Sequence, residues 1–468
     1  LHDALPIFVH SSTRKPICME FIAENPSLED FRKLIELKEV DKLNDLLTEM
    51  HSADIAELMD KLEPEEADYI FSIMDPDNSA EVLLELDEDL RESILSNLSP
   101  EEIADELDEL SSDDAADIIS ELPQNIKHEV IQEIEDEDFA KDVIELLRYD
   151  HQTAGGLMAK EFIKVNENWP VVDCTKEMRH QAQNVKKVHA IYVVDDNDKL
   201  VGRLSLRSLL TTNLRSPVKD VYIKDVKSVK VDTEDVEVAR IMQKYDLEAI
   251  PVLDELGTLV GIVTIDDIVD VIKDEADKDY QMAAGISQDV EADDTIFQLT
   301  KARFPWLFLA LLGSLVVVKV SGSFDAALDK FPVLFFFTPL IAAMAGNVGV
   351  QSSAIIVQGL ANNSLSGSLF NRLLKEFSLS LMNGMVLALL LMLSSYFLIG
   401  ADFTVAITVS IALISVIVIA SLIGTFVPIT LNKYGIDPAL ATGPFITTSN
   451  DILGILIYFS IAKLILGF

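Results

Sequence analysis

The stretch GPFITTSNDILG, residues 443–454, lies inside an apolar run of about thirty residues that follows Asp437 and Pro438 and continues to Phe468. A carboxylate at the middle of a bilayer costs about 2.5 to 3.5 kcal/mol on insertion scales. Asp451 is therefore either outside a span or inside one for a function. That choice decides whether the last third of the chain is a membrane domain.

The distribution of charge favours the second reading. Residues 304–468 hold six basic and six acidic side chains, so the formal charge of −41 belongs to the part before position 304, which has 31 basic and 72 acidic residues. A field of that sign repels nucleic acid and anionic surfaces and attracts cations. Taken one by one, most of these carboxylates read as an ordinary solvated surface. Cys18 and Cys174 match no metal spacing and suit a reduced, cytoplasmic body. No nucleophile with a base stands out, which argues against an enzyme. Residues 1–24 show no signal-peptide pattern and read as a disordered or non-native leader, with Met19 as the natural start.

Residues 25–150 read as an acidic helical superhelix. From Met50 an apolar residue recurs every twelve positions, through Leu62, Met74, Leu86, Leu98, Leu110, Leu122 and Ile134. A second register follows nine residues behind each, from Met59 and Phe71 to Val143. Between them stand EPEEA, DPDNS and SPEEI, which are helix starts with a cap, a proline and first-turn acids. Helices of two or three turns cannot bury their stripes alone, so neighbours must stack.

Residues 151–272 contain a duplicated α/β unit. HAIYVVDDNDKLVGRLSLRSLL (189–210) and EAIPVLDELGTLVGIVTIDDIV (248–269) align without a gap at an offset of 59 residues. The order strand, acidic turn, strand, helix start occurs twice and predicts a pseudo-twofold pair. These residues resemble a CBS pair. In that family GxVTxxD can hold the ribose of an adenine nucleotide such as ATP, which here points to Gly261, Thr264 and Asp267. In the first copy Arg207 and Ser208 replace the acids, so the module holds one nucleotide or regulates without any.

An acidic connecting helix is expected over 273–303, continuing the face of Asp267, Asp270 and Asp274. Like charges so stacked repel, and either solvent or a divalent cation with oxygen ligands would relieve them.

Five apolar stretches long enough to cross a bilayer follow, at about 304–321, 331–358, 373–399, 402–431 and 438–467. Lys301, Arg303, Arg372, Lys375 and Lys433 flank the ends that a modest positive-inside bias assigns to the cytoplasm, with the N-terminal domains. The second span carries GNVGVQSS from Gly346, which includes Asn347, a segment of small and polar residues suited to close packing or a wet path. ASLIG near Gly424 in the fourth span reads as packing. In the fifth, Gly443, Thr447 and Asp451 recur every four residues and share a face, and Pro444 is expected to free the carbonyl of Leu440. Between Lys433 and Lys463 there is no basic residue, which disfavours an anion path. Mg²⁺ keeps its waters and is held by one or two carboxylates, so such a strip suits it. One carboxylate per chain is weak, and a homodimer would bring two together.

The order of these parts resembles the MgtE family of magnesium channels, with TAGGLM at 153–158, GNVGVQ at 346–351, DPALATGP from Asp437 and TTSND ending at Asp451 as signatures. The resemblance implies a multidomain protein of the cell membrane: an all-α superhelix, an α/β CBS pair and an α-helical membrane domain over 304–468. It implies a homodimeric, multi-pass Mg²⁺ channel set in lipid and binding no nucleic acid, with Asp451 as the pore acid, Thr447, Gly443 and Asn347 near it, and Asp437 at the cytoplasmic start of the span. It also implies closure by cytosolic Mg²⁺ at Glu81, Asp113, Asp117, Glu234, Asp246, Asp267, Asp270, Glu275 and Asp279. Lys278 stands where relatives can have an acid, and Gly443 where some have Asn. The competing readings are a membrane-anchored adenylate sensor and a carrier of Co²⁺ or another divalent cation.

Overall fold

The computed structural model describes residues 27–468 except 184, 186, 289, 291–293, 362, 363, 366 and 442. The expected leader, 1–24, lies outside the described residues. Two compact units divide at Val271 and Ile272.

The first unit begins with ten short helices: α1 (Leu28–Glu36), α2 (Val40–Glu49), α3 (Ser52–Met59), α4 (Pro64–Ile73), α5 (Pro76–Glu85), α6 (Glu88–Asn97), α7 (Pro100–Leu107), α8 (Ser112–Glu121), α9 (Gln124–Glu133) and α10 (Glu137–Leu146). From α3 to α9 every helix starts twelve residues after the last. Proline opens α4, α5 and α7, and reciprocal side-chain caps close the first turns of α4 and α7. Met59, Phe71, Leu83, Leu95, Leu107, Ile119 and Val143 are buried. From α3 on, helices pack on the one two places along: α3 on α5, α5 on α7, α7 on α9, and α4 on α6, α8 on α10. Alternate stacking gives a two-turn helix a partner for its single apolar stripe.

The two copies of the α/β unit form two three-stranded sheets of one topology. β1 (Ile163–Asn166), β2 (Ile191–Val194) and β3 (Leu200–Leu204), with α11 (Val171–Gln181) and α12 (Leu206–Thr211), make the first; β4 (Val229–Lys230), β5 (Ala249–Leu253) and β6 (Leu259–Thr264), with α13 (Asp235–Tyr245), make the second. In each, the first pair is parallel and the second antiparallel. The 59-residue offset extends to detail: the ladder is irregular at Val193/Val194 and at Val252/Leu253. Asp198 and Gly257, equivalent residues of the acidic turns, both have positive φ. Across the pseudo-twofold, Leu259 N donates to Asp198 O at 3.2 Å and Leu200 N to Gly257 O at 3.4 Å.

Gly202 and Gly261 are also equivalent, and each makes room for an added segment. Arg203, next to Gly202, exchanges backbone hydrogen bonds with Ile223, and Ile262, next to Gly261, with Ala159. A Cβ on Gly202 would overlap the Tyr222 ring and come 2.6 Å from Ile223 O, and one on Gly261 would come 2.6 Å from Met158 Sδ and 2.9 Å from Ala159 O.

The helix α14 (Ile265–Ala284) starts directly from β6 and stops at Gly285, whose φ of +82° is open to glycine without strain. The connecting region expected over 273–303 is thus not one helix. Its later residues belong to α15 (Ile296–Gly322), which a Thr295–Gln298 capping box opens eight residues before the expected start of the span. After α16 (Asp325–Lys330) come α17 (Thr338–Ala361), α18 (Leu369–Phe397), α19 (Phe403–Lys433) and α20 (Gly443–Leu466). Five helical stretches, Ile296–Gly322, Pro332–Ala361, Leu369–Phe397, Phe403–Lys433 and Gly443–Leu466, are long and apolar enough to cross a membrane. α19 is the most enclosed and packs on α17, α18 and α20.

Gly202→Ala is expected to lower the stability of the α/β unit by about 1–3 kcal/mol, because backbone cannot yield to the added methyl. Thermal unfolding of the purified protein checks this, and an unchanged midpoint would contradict the close approach at Tyr222 and Ile223.

Candidate ion site and acidic clusters

α20 begins at Gly443, so Pro444 sits in its first turn, where a missing N–H costs nothing. The expectation of a carbonyl freed inside a span is corrected: the proline starts the helix rather than interrupting it. The four-residue face is present. The Thr447 hydroxyl donates to the Gly443 carbonyl at 3.0 Å, and Asp451 lies one turn on, partly buried. Opposite them is α17. A Cβ on Gly346 would stand 3.2 Å from Thr447 Cγ2 and 3.9 Å from Asp451 Oδ1. Asn347, beside it, is exposed on the single chain.

One turn along the same seam, Gly349 abuts Asn450. No side chain fits at Gly349, where a Cβ would overlap Asn450 Nδ2 and come 2.8 Å from Ile446 Cγ2. Asn450 is 1% exposed, and neither its Oδ1 nor its Nδ2 has a hydrogen-bond partner. An amide buried without partners marks a place that needs a water or another polar ligand. One turn further along α17, the Ser352 hydroxyl donates to Glu376 Oε1 of α18 at 2.7 Å. Gly424 of α19 packs against the Gly349 carbonyl and Ser352, as expected of ASLIG. Neither Asn450 nor Glu376 stood out in the sequence. The spacing of four selects residues 443, 447 and 451, whereas the seam runs at a spacing of three, Gly346 and Gly349 against Thr447 and Asn450.

At the start of α20 a second junction forms within the same unit. A Cβ on Gly443 would overlap the Ala283 carbonyl oxygen at the end of α14, and one on Gly285 would lie 2.9 Å from Pro444 Cδ. Asp279 of α14 is partly buried, and burial first, then the nearby charge of Asp437, raises its pKa. Asp437 is exposed and accepts from Ala439 N at 2.7 Å.

The first unit holds the other cluster. Ser112, fully buried, donates to Glu161 Oε2 at 2.9 Å and accepts from Lys160 N at 3.0 Å, which fixes the start of α8 against the segment before β1. Asp113 follows and is only 7% exposed. Burial raises its pKa, and the charges of Asp267 and Asp114 raise it further. Asp267 accepts from Thr264 N at 3.3 Å and Thr264 Oγ1 at 3.1 Å. Burial, then Asp266 and Asp114, push its carboxyl up to about 7. A cavity of about 470 Å³ takes in Asp113, Asp114, Thr264, Asp267, Lys187 and His189. Two of the three expected nucleotide residues, Thr264 and Asp267, therefore open into one space with the expected sensor Asp113. Gly261 lies on β6 in contact with Met158, where its small size serves packing.

The remaining expected sensors are dispersed. Asp117 pairs with His151 at 3.4 Å. Glu81 is exposed on α5, Glu234 and Asp246 cap the two ends of α13, and Asp270 and Glu275 are exposed on α14. Among the described residues no group of three His, Cys, Asp or Glu is placed to hold one ion directly.

The MgtE profile, described as a divalent cation transporter, matches residues 338–461; the MgtE intracellular N domain matches 50–152, and CBS domains match 154–214 and 218–274. The magnesium transporter MgtE of Bacillus subtilis is 35% identical over 323 residues, 69% of this chain and 71% of that one. The chain belongs to the MgtE family. The Thermus thermophilus magnesium transporter MgtE is 34% identical over 332 residues, 69% of this chain and 72% of that one. A crystal structure of the cytosolic domain of the Mg²⁺ channel MgtE in complex with ATP is 33% identical and covers 52% of this chain and 100% of that one, with a TM-score of 0.49. As an MgtE-family member the chain is a multi-pass membrane protein in which a helical domain and a CBS pair precede the spanning helices.

A carboxyl whose folded pKa is raised stabilises the fold fully below the ordinary carboxyl range, and that contribution is lost as pH rises to the folded value. Once the intrinsic base-catalysed rise with pH is divided out, amide exchange in α8 and the first turn of α14 of the full chain without Mg²⁺ should therefore speed up between about pH 4 and 7. Millimolar Mg²⁺ should slow it again at the upper end. Exchange that ignores both pH and Mg²⁺ contradicts the Asp113–Asp267 pairing.

Proposed function

We propose that the chain is a magnesium channel that admits Mg²⁺ across the cell membrane, with its N-terminal domains in the cytoplasm, and that cytosolic Mg²⁺ closes it. The observation that carries the reading is Asp451, held on α20 beside the side-chain-free face of α17 in a helix with no basic residue before Lys463. A carboxylate in a low-dielectric wall attracts a cation, and Thr447 and the waters of the ion supply further oxygens. Asn347 and Asp451 keep exposed surface on the single chain, which supports a homodimer whose two carboxylates share one hydrated ion.

Closure is assigned to the acid pairs outside the spans. Asp279 and Asp437 repel when both are ionised, and a divalent cation between them favours the close approach of the end of α14 to Gly443. Asp113 with Asp267 plays the same part in the first unit, with Glu81, Asp117, Glu234, Asp246, Asp270 and Glu275 contributing to a diffuse cation atmosphere. The ion must bind the closed state more tightly, since equal affinity shifts nothing. An adenine nucleotide fits the shared cavity as a second ligand, with Thr264 and Asp267 as ribose acceptors and Lys187 at the phosphates.

Wild type should restore growth of a magnesium-requiring bacterial strain, and Asp451→Ala should not. Equal rescue by both refutes the pore role. Gly443→Ala should still conduct but lose closure, with flux at millimolar Mg²⁺ several-fold above wild type. Wild-type inhibition in that variant would separate the junction at Ala283 from gating.

A further inference from the structure

A polar cavity of about 580 Å³ lies where α17 gives way to α18. Gln358, Ser364, Ser368, Asn371, Arg372 and Lys375 line it, and among the described residues no carboxylate does. Glu376, next in sequence, turns to Ser352 instead. Lys375 has no hydrogen-bond or ion-pair partner among the described residues. The Asn371 N–H donates to the Ser368 hydroxyl at 3.3 Å and closes the first turn of a 29-residue helix whose positive end faces the same space. Ile355, one turn deeper on α17, also lines the cavity and is 64% exposed. The site is thus cationic and rich in donors at the end of the spans, and apolar just inside them.

A free anion has no use for the apolar wall, whereas a phospholipid has both parts. Two crossings return the chain to the side from which α15 enters, so the α17–α18 join and Lys433 at the end of α19 face the same leaflet. Basic pockets between spanning helices on that side suit anionic headgroups. We propose that this cavity binds the phosphate of an anionic phospholipid through Arg372 and Lys375, with an acyl chain along Ile355. The bound lipid braces the end of α17, the helix whose Gly346 and Gly349 face α20.

The test uses the full-length protein reconstituted with equal parts phosphatidylglycerol and phosphatidylcholine, then washed in detergent, with retained lipid read by native mass spectrometry. Wild type is expected to retain phosphatidylglycerol preferentially. Arg372→Gln with Lys375→Gln should lower that retention roughly tenfold or more, two surface cations having been lost. Lys375→Glu alone should lower it as well, which keeps the proposal testable if the double variant misfolds. Lys433→Gln, on the same side but outside the cavity, and the charge-conserving pair Arg372→Lys with Lys375→Arg should retain lipid as wild type does. Undiminished retention in the glutamine pair and in Lys375→Glu overturns the proposal. Equal loss in Lys433→Gln overturns it in favour of diffuse surface attraction. Displacement of the lipid by inorganic phosphate alone overturns it in favour of a free-anion site.

Discussion

The membrane unit depends on how close α17 can come to α20. Lipid offers apolar surface as good as any helix, so association there rests on packing and on polar contacts that small residues permit. Gly346 and Gly349 supply the gap, and Thr447 and Asn450 occupy it. Gly424 adds α19 to the same seam, and Gly454 lets α20 approach Ala345 and Val416. Any side chain at Gly349 would expel Asn450 and with it the register that sets Asp451 beside Gly346. The acid's position is a consequence of missing side chains on its neighbour.

Outside the spans the controlling quantity is proton and cation affinity. Asp113 with Asp267, and Asp279 with Asp437, are like-charged neighbours, and the carboxyls of Asp113, Asp267 and Asp279 hold protons more firmly than usual. The fold imposes that proximity through uncharged contacts: Ser112 between Glu161 and Lys160, and Gly443 against Ala283. A site built this way opposes its own ionisation, and on the proposed function a divalent cation would relieve it, which is the differential affinity a switch requires.

Much of the architecture was legible because it repeats. The twelve-residue register placed seven helix starts in step, and the 59-residue offset foretold sheets that agree down to the strand irregularity and the left-handed turn residue. The spans were legible from length and hydropathy, though α15 starts earlier and α20 later than expected: a capping box at Thr295 opens α15, and Pro438–Ala441 form a 3-10 turn of their own. What periodicity could not show is which distant residues meet. Asp113 and Asp267 lie on elements far apart in the chain. Gly443 reads as a substitution in an ion strip until Ala283 is seen beside it. Asn450 was hidden next to a more conspicuous acid, since a face drawn through Asp451 at a spacing of four passes it by.

The helix α14 joins these themes. Its first turn carries Asp267 into the acidic cavity, and its last turn ends at a glycine beside Pro444. Coupling between distant sites needs an element with two discrete arrangements that both sites bias. On the proposed reading α14, with a carboxyl of raised pKa in its first turn and a contact that tolerates no extra carbon at its last, would meet the first half of that requirement. The second half falls to the cation, which must distinguish the two arrangements. Under the proposed closure the acids would give it the means, each pair binding it well only while its two members are held close.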